Sequence, residues 1–403
     1  MYVEIKPSSL KGAVKAPPSK SMAHRLLICA GLSQGESVIK NVAYSEDILA
    51  TLDCLEVLGA EIKKDGDTVY IKGADPTAFK GGTFSCRESG STLRFFIPIA
   101  MLSQGKSLFT GYGRLMERPM EIYEKLCSDK GLIYEKNSDG ISLSGVLDGG
   151  DFELRGDISS QFITGLLFAL PLAEKDSRIT LTGKAESLGY IDMTVDALAS
   201  FGVEIKREKE NEFYIKGSQQ YRPQSLTVEG DYSNAAFIDS FNFIGGEIEV
   251  TGLSEKSLQG DRVYKEYFRL LKEGCPLLDV SGCPDLAPIL MTLAAQLNGA
   301  RLTGTRRLKI KESDRGEVMK TELSKLGAVI ETYENEIVVS KSTLYAPGEK
   351  LCGHNDHRVV MSLSVLCSLY GGIIEQSEAV RKSYPDFFEV MKKAGLEVTE
   401  YGN

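Results

Sequence analysis

The 403-residue chain has no tryptophan and three histidines, and its eight cysteines, at 29, 54, 86, 127, 275, 283, 352 and 367, never form a Cys-x-x-Cys pair. That spacing excludes a zinc ribbon and gives no disulfide framework, so reduced, packed thiols are expected. No apolar run approaches the length of a membrane span, which excludes a membrane protein of the helical kind. The opening MYVEIKPSSL has neither a signal-peptide core nor an Arg/Ser-rich transit segment, so a cytoplasmic protein is expected. An excess of positive charge is missing too: 47 Lys and Arg stand against 56 Asp and Glu, a net charge of -9. General attraction to nucleic acid or anionic membrane is thereby excluded, and any bound anion must be held by locally placed cations. What is present is ordinary apolar content, 42%, and 40 glycines, the composition of a turn-rich globular protein. The length exceeds what one core supports, so two domains are expected.

Internal similarity organises the chain. A helix-patterned segment ending in glycine and running into a β-patterned stretch recurs as DILATLDCLEVLGAEI, MEIYEKLCSDKGLIY, VDALASFGVEI, YKEYFRLLKEGCPLL, VMKTELSKLGAVI and FFEVMKKAGLEV. The glycines at 59, 131, 202, 274, 327 and 395 each suit the left-handed position beyond a helix C-terminus. Hairpin patterns such as IKKDGDTVYIKG and IYEKNSDGISLSG follow several of them. Units this small cannot each bury a core, so three and three are grouped into two compact α/β domains, with the site expected between them. The natural division lies near VEGD, residues 228–231; the domains are expected to be 14–228 and 1–13 plus 229–403.

Several loops combine anion-binding residue types with helix starts. APPSKSMAHR, residues 16–25, sets two prolines before a serine that can cap a helix carrying Leu26, Leu27 and Ala30 inward. Lys20, Ser21 and Arg25 would then point outward from a helix N-terminus, where backbone N–H groups and the dipole favour anions; an ordinary capped surface helix fits as well. ESGSTLRFF, residues 88–96, offers Ser89, Gly90, Ser91, Thr92 and Arg94, and DISSQF offers Ser159, Ser160 and Gln161. Both read either as anion cradles or as plain helix caps. In the second half, Asp285 interrupts the apolar GCPDLAPILMTLAAQL, KESDR carries Lys311, Glu312, Asp314 and Arg315, and NDHR places His357 and Arg358 before an apolar helix. Caps and a salt-bridged helix entrance compete there with acid/base chemistry at an anion site. With so few histidines and no cysteine cluster, proton-network or anion roles are favoured over zinc, and no metal is expected.

Taken in order, PSKSMAHR, ESGSTLR, RLMERP, DISSQF, PDLAP, KIKESDR, NDHR and RKSYPD make the chain resemble the 5-enolpyruvylshikimate-3-phosphate synthase family of enolpyruvyl transferases along nearly its whole length. The resemblance implies an α/β fold of two similar domains, each three βαβαββ repeats in an inverse α/β barrel-like arrangement, with the active site in the interdomain cleft. It implies shikimate 3-phosphate and phosphoenolpyruvate as substrates, no cofactor, and a monomer. Lys20, Ser21, Arg25, Ser159, Ser160, Gln161, Ser187, Tyr190, Asp285 and Lys311 would bind shikimate 3-phosphate. Lys20, Gly90, Arg114, Gln161, Arg315, Arg358 and Lys382 would surround phosphoenolpyruvate. Lys20, Asp285, Glu312 and His357 would be catalytic, with Asp285 helping to take the hydroxyl proton and Glu312 protonating the enol carbon.

The residue types suit that chemistry: an enol needs a proton at one carbon and an alcohol at its neighbour, and Arg and Lys stabilise the departing phosphate. Glu88 and Arg307 stand where the family commonly has Asn; Arg307 either adds a cation or points outward. Gly90 is the small residue of the glyphosate-sensitive class. Three other readings compete: transfer to UDP-N-acetylglucosamine, RNA binding or end processing, and non-catalytic anion binding. The absence of cysteine from GYGRLMERP disfavours the first, and the acidic balance disfavours the second.

Overall fold

The computed structural model describes residues 1–157, 159–183 and 186–402 and divides the chain into two compact units, 20–228 and 1–19 with 229–403. We call them the continuous and the split unit. Each has its own hydrophobic core. The expected boundary at residue 14 falls inside a strand, Lys11–Lys15, that pairs in parallel with Glu247–Thr251; the chain therefore leaves the split unit only after Ser19.

The continuous unit contains three four-stranded sheets of one design. In the plainest, Gly81–Ser85 runs parallel to Lys106–Thr110 with the Gly90–Ala100 helix between them in sequence, and the Glu121–Lys130 helix then leads to a hairpin of Ile133–Asn137 and Gly140–Ser144. The second hairpin strand returns antiparallel to Lys106–Thr110. Gly150–Arg155, Ser177–Thr182, Ile205–Lys209 and Glu212–Ile215 repeat the pattern. In the remaining sheet the leading strand, Ser225–Thr227, comes from the far end of the unit and lies parallel to Glu36–Lys40. Local signals agree with this plan. In the Glu46–Leu58 helix, Ser45 caps the first turn by accepting from the Ile48 N–H, Glu46 and Asp47 sit at the positive dipole end, and Gly59 closes the helix at φ 104°.

The split unit repeats the design twice in full. Leu277–Asp279, Ala300–Thr303, Glu336–Ser340 and Val329–Thr332 form one sheet; Leu351–Cys352, Gly372–Glu375, Tyr2–Lys6 and Glu397–Tyr401 form the other. The N-terminal strand thus completes the last repeat, which fixes the chain start in this unit. The third sheet has two strands, because the Tyr264–Glu273 helix runs through Pro276 into the next sheet with no hairpin. Gly274 accordingly departs from expectation: its φ of 177° is extended backbone, whereas the five other repeat glycines have φ between 67° and 113°. The cysteines depart as well. Six are buried, but Cys275, between the Tyr264–Glu273 helix and the next strand, is exposed, and Cys352, in the short Leu351–Cys352 strand, is half-buried. No helix among the described residues is long and apolar enough to cross a membrane.

Candidate active site

In the continuous unit the Lys20–Gly31 helix begins directly on Lys20, whose Nζ lies 2.7 Å from the Asp47 carboxylate at the start of the Glu46–Leu58 helix. Arg25 does not point outward. It is buried, and its Nε donates to Thr194 Oγ1 at 2.9 Å, its Nη2 to the Tyr190 carbonyl at 2.8 Å and its Nη1 to the Ser21 carbonyl at 2.6 Å. Burial lowers its pKa to about 10, so the guanidinium remains charged at neutral pH. These bonds tie Ser21 and Tyr190 into one group. Ser187, in left-handed backbone at φ 56°, occupies the position before the Leu188–Ser200 helix that carries Tyr190.

A second group forms where the Gly90–Ala100 and Ser160–Ala169 helices start. Ser159 caps the latter; Gln161, one residue inside it, donates to Ser91 Oγ at 2.8 Å and accepts from Arg94 Nη1 at 2.7 Å. Ile158 of the DISSQF run lies outside the described residues. Arg94 also stacks over the Phe162 ring at 4.9 Å. Gly90 faces two guanidinium groups: a Cβ there would stand 2.5 Å from Arg118 Nη1 and 3.2 Å from Arg94 Nη1. Arg114 is elsewhere. Half exposed at 52%, it pairs with Glu117 at 3.6 Å. The cation of RLMERP that meets Gly90 is therefore Arg118, which the sequence reading passed over although it lies four residues further along the same motif.

Behind these groups runs a buried chain of hydroxyls. His24 Nδ1 is 2.7 Å from Thr51 Oγ1, Thr51 is 2.9 Å from Thr92, and Thr92 donates to Ser89 at 2.8 Å. It joins the helices that begin at Lys20, Glu46 and Gly90. Burial, reinforced by Lys20 and Arg25, holds the His24 pKa well below the usual imidazole value, so this ring is neutral near pH 7.

The split unit carries a denser cluster. Arg315, 1% exposed at the start of the Arg315–Ser324 helix, bonds three carboxylates: Asp356 through Nε at 2.9 Å, Asp285 through Nη1 at 2.7 Å and Glu312 through Nη2 at 2.8 Å. Burial opposes its charge, but Asp356, Glu312 and Asp285 together raise its pKa well above normal. Asp285 also accepts from Lys311 at 3.1 Å and Arg358 at 3.3 Å. It stands in a short turn, Pro284–Leu286, and caps no helix; this separates it from the cap reading. Burial lowers the Lys311 pKa against the opposing pull of Asp285. Arg307 is buried beside this group and adds to the cationic field on Lys311, so it does not point outward.

Asp356 is the residue the sequence reading quoted within NDHR without giving it a role. Fully buried, it accepts from Ser313 Oγ at 3.0 Å and from the Arg358 N–H at 2.9 Å, capping the His357–Tyr370 helix while anchoring Arg315. His357 is buried with Nδ1 3.9 Å from Asp356, and Lys382 donates to the Asn355 carbonyl at 2.7 Å. Arg358 has donor capacity left: its Nε and Nη1 are buried and make no hydrogen bond among the described residues. Such a guanidinium is poised for an anion, whereas Arg315 keeps one further N–H at Nη1.

Residues 5–391 match the family model described as EPSP synthase (3-phosphoshikimate 1-carboxyvinyltransferase). Relatives named 3-phosphoshikimate 1-carboxyvinyltransferase include one from Clostridium perfringens, 42% identical with 98% of each chain covered, and one from Clostridium kluyveri, 42% identical with 99% of each covered. A solved structure of an EPSP synthase from Acinetobacter baumannii is 24% identical and has a TM-score of 0.78 over 99% of this chain and 100% of that one, a likeness of fold.

Proposed function

The chain belongs to the EPSP synthase (3-phosphoshikimate 1-carboxyvinyltransferase) family, and on that premise we propose that it transfers the enolpyruvyl group of phosphoenolpyruvate to the 5-hydroxyl of shikimate 3-phosphate. The observation that carries the reading is the Asp285–Arg315–Asp356 cluster, in which acid/base carboxylates and anion-binding guanidinium groups are interlocked.

The step balances as an addition and an elimination. A proton adds to the methylene carbon of phosphoenolpyruvate, and the hydroxyl oxygen of shikimate 3-phosphate bonds to the neighbouring carbon as its own proton leaves. The resulting tetrahedral intermediate expels phosphate by breaking its carbon–oxygen bond, and loss of a methyl proton restores the alkene. Asp285, which accepts from Lys311, Arg315 and Arg358, is suited to orient a hydroxyl; shifting one of those bonds to substrate would free a lone pair for its proton. Glu312 supplies the proton to carbon, Lys20 assists that transfer, and His357 steadies the proton network next to Asp356.

In this reading Ser21, Arg25, Ser159, Ser160, Gln161, Ser187, Tyr190 and Lys311 hold the shikimate phosphate and ring. Lys20, Gly90, Gln161, Arg315, Arg358 and Lys382 take phosphoenolpyruvate, and Arg118 replaces Arg114 beside Gly90. The spare donors of Arg358 favour carboxylate or phosphate oxygens, and charge-assisted bonds of this kind orient as well as attract. The proposal extends to a monomer acting in the cytoplasm, for which the many buried thiols suit a reducing compartment.

The test is phosphate release from purified protein given phosphoenolpyruvate with shikimate 3-phosphate, and in parallel with UDP-N-acetylglucosamine. Release with shikimate 3-phosphate alone, accompanied by the enolpyruvyl ether, is expected. Release with the nucleotide sugar alone overturns the acceptor, and inert protein overturns the activity.

A further inference from the structure

Glu322 lies outside every group described so far. It sits two turns beyond Arg315 on the same helix, a spacing that returns a side chain to the same face. It is 1% exposed, yet its carboxylate is fully engaged: Oε2 accepts from the Cys352 N–H at 2.8 Å and lies 3.0 Å from Lys325 Nζ, and Oε1 is 2.8 Å from His354 Nε2. Burial alone would raise its pKa, but the bonds from His354, Cys352 and Lys325 hold it below the ordinary carboxylate value.

Cys352, at the end of the Leu351–Cys352 strand, and His354 lead directly into NDHR. In that turn two successive non-glycine residues adopt left-handed backbone, His354 at φ 48° and Asn355 at φ 52°. Such a conformation persists only where the surroundings over-determine it. The Asn355 carbonyl made available by this turn receives Lys382, and the next residue, Asp356, receives Arg315. One helix face therefore grips the 352–356 turn at two points, by a carboxylate at one end and a guanidinium at the other.

The geometry points to Glu322 as a positioning residue: by clamping Cys352 and His354 it holds the strained turn that places Lys382 and Arg358 for phosphoenolpyruvate. This rests on the assignment of those two cations in the proposed function. Glu322 touches no substrate itself and acts through the turn.

Steady-state kinetics on Glu322→Ala and Glu322→Gln, each varied against both substrates, test it. Removing the carboxylate leaves the Cys352 N–H and the His354 ring without their acceptor, and KM for phosphoenolpyruvate is expected to rise about tenfold. KM for shikimate 3-phosphate should move less than about twofold, because Asp285 and Lys311 are not held by Glu322. Glu322→Gln keeps one oxygen for Cys352 and can donate to a neutral His354, so it should give a smaller rise, about threefold. If Glu322→Ala does not fold, His354→Ala, at a half-exposed ring, is the substitute and should raise the same KM about threefold. A folded variant with unchanged KM for phosphoenolpyruvate, or with equal rises for both substrates, overturns the inference. Wild-type turnover serves as the reference and tests the activity by itself, so the two failures are distinct.

Discussion

Replacing Gly90 by alanine adds one methyl group, and the structure states what it meets. The new carbon would stand 2.5 Å from Arg118 Nη1, against the 3.4 Å at which ordinary contact begins. The guanidinium must retreat by about 1 Å, and misplacement of that size in a binding constellation can cost up to about a hundredfold. Arg94 cannot absorb the shift, since it is held by Gln161 and lies 3.2 Å from the same carbon. Loss of one charge-assisted bond, about 1.5–3 kcal/mol, corresponds to a rise in KM for phosphoenolpyruvate of roughly tenfold to a hundredfold. Global stability should not fall with it. Gly90 opens a helix in ordinary backbone, where alanine is up to about 1 kcal/mol more favourable than glycine. Initial-rate kinetics with a melting curve separate the two effects, and glyphosate inhibition, expected to weaken in parallel, supplies a further readout. A Gly90→Ala variant with unchanged KM for phosphoenolpyruvate and unchanged inhibition would refute the placement of Arg118 against Gly90.

Arg315→Met should strand buried Asp356 and cost about 3–5 kcal/mol in urea unfolding; a loss below about 1 kcal/mol would mean that the carboxylates relax independently. Arg358→Lys preserves charge but not the fork, and should raise KM for phosphoenolpyruvate about tenfold with little change in melting; an unaltered KM removes Arg358 from the ligand set. The folded His24 pKa lies well below 6.5, so the unfolded chain takes up the extra proton between those values. Its stability contribution is intact above pH 6.5 and is lost as pH falls toward the folded value, by up to about 1.4 kcal/mol per pH unit. Urea unfolding of His24→Gln should lack that component, and an acid slope equal to wild type would assign it to other groups.

The repeat plan was legible because it is written in local signals: a capping serine, a helix-period apolar stripe and a left-handed glycine are read within one segment, as at Ser45 to Gly59. Where the plan was misread, the continuation of the chain overrode the signal: after Gly274 the chain passes Pro276 straight into the Leu277–Asp279 strand of the next sheet, and the glycine expected to be left-handed is extended. The split of the N-terminal segment was partly legible, but the strand Lys11–Lys15 pairs with residues far along the chain, and no short window reveals such a partner.

The site residues show the same division between kind and partner. KESDR and NDHR could be marked as charged helix starts, yet nothing in either motif says that Arg315 of one is bound by Asp356 of the other rather than by its own Asp314, whose carboxylate instead caps the helix by accepting from the Glu317 N–H. The choice follows from burial. An arginine 1% exposed must have its charge neutralised and its N–H groups bonded, and a fully buried carboxylate has the same need, so each is the other's best solution while Asp314 can remain nearer water. Arg114 and Arg118 differ in the same way: four residues apart in one motif, one is solvated with Glu117 and the other is driven against Gly90. Composition marks where cations gather; which of them meets a ligand is decided by which the fold desolvates, and a buried guanidinium with bonds still to make, such as Arg358, carries that decision on its face.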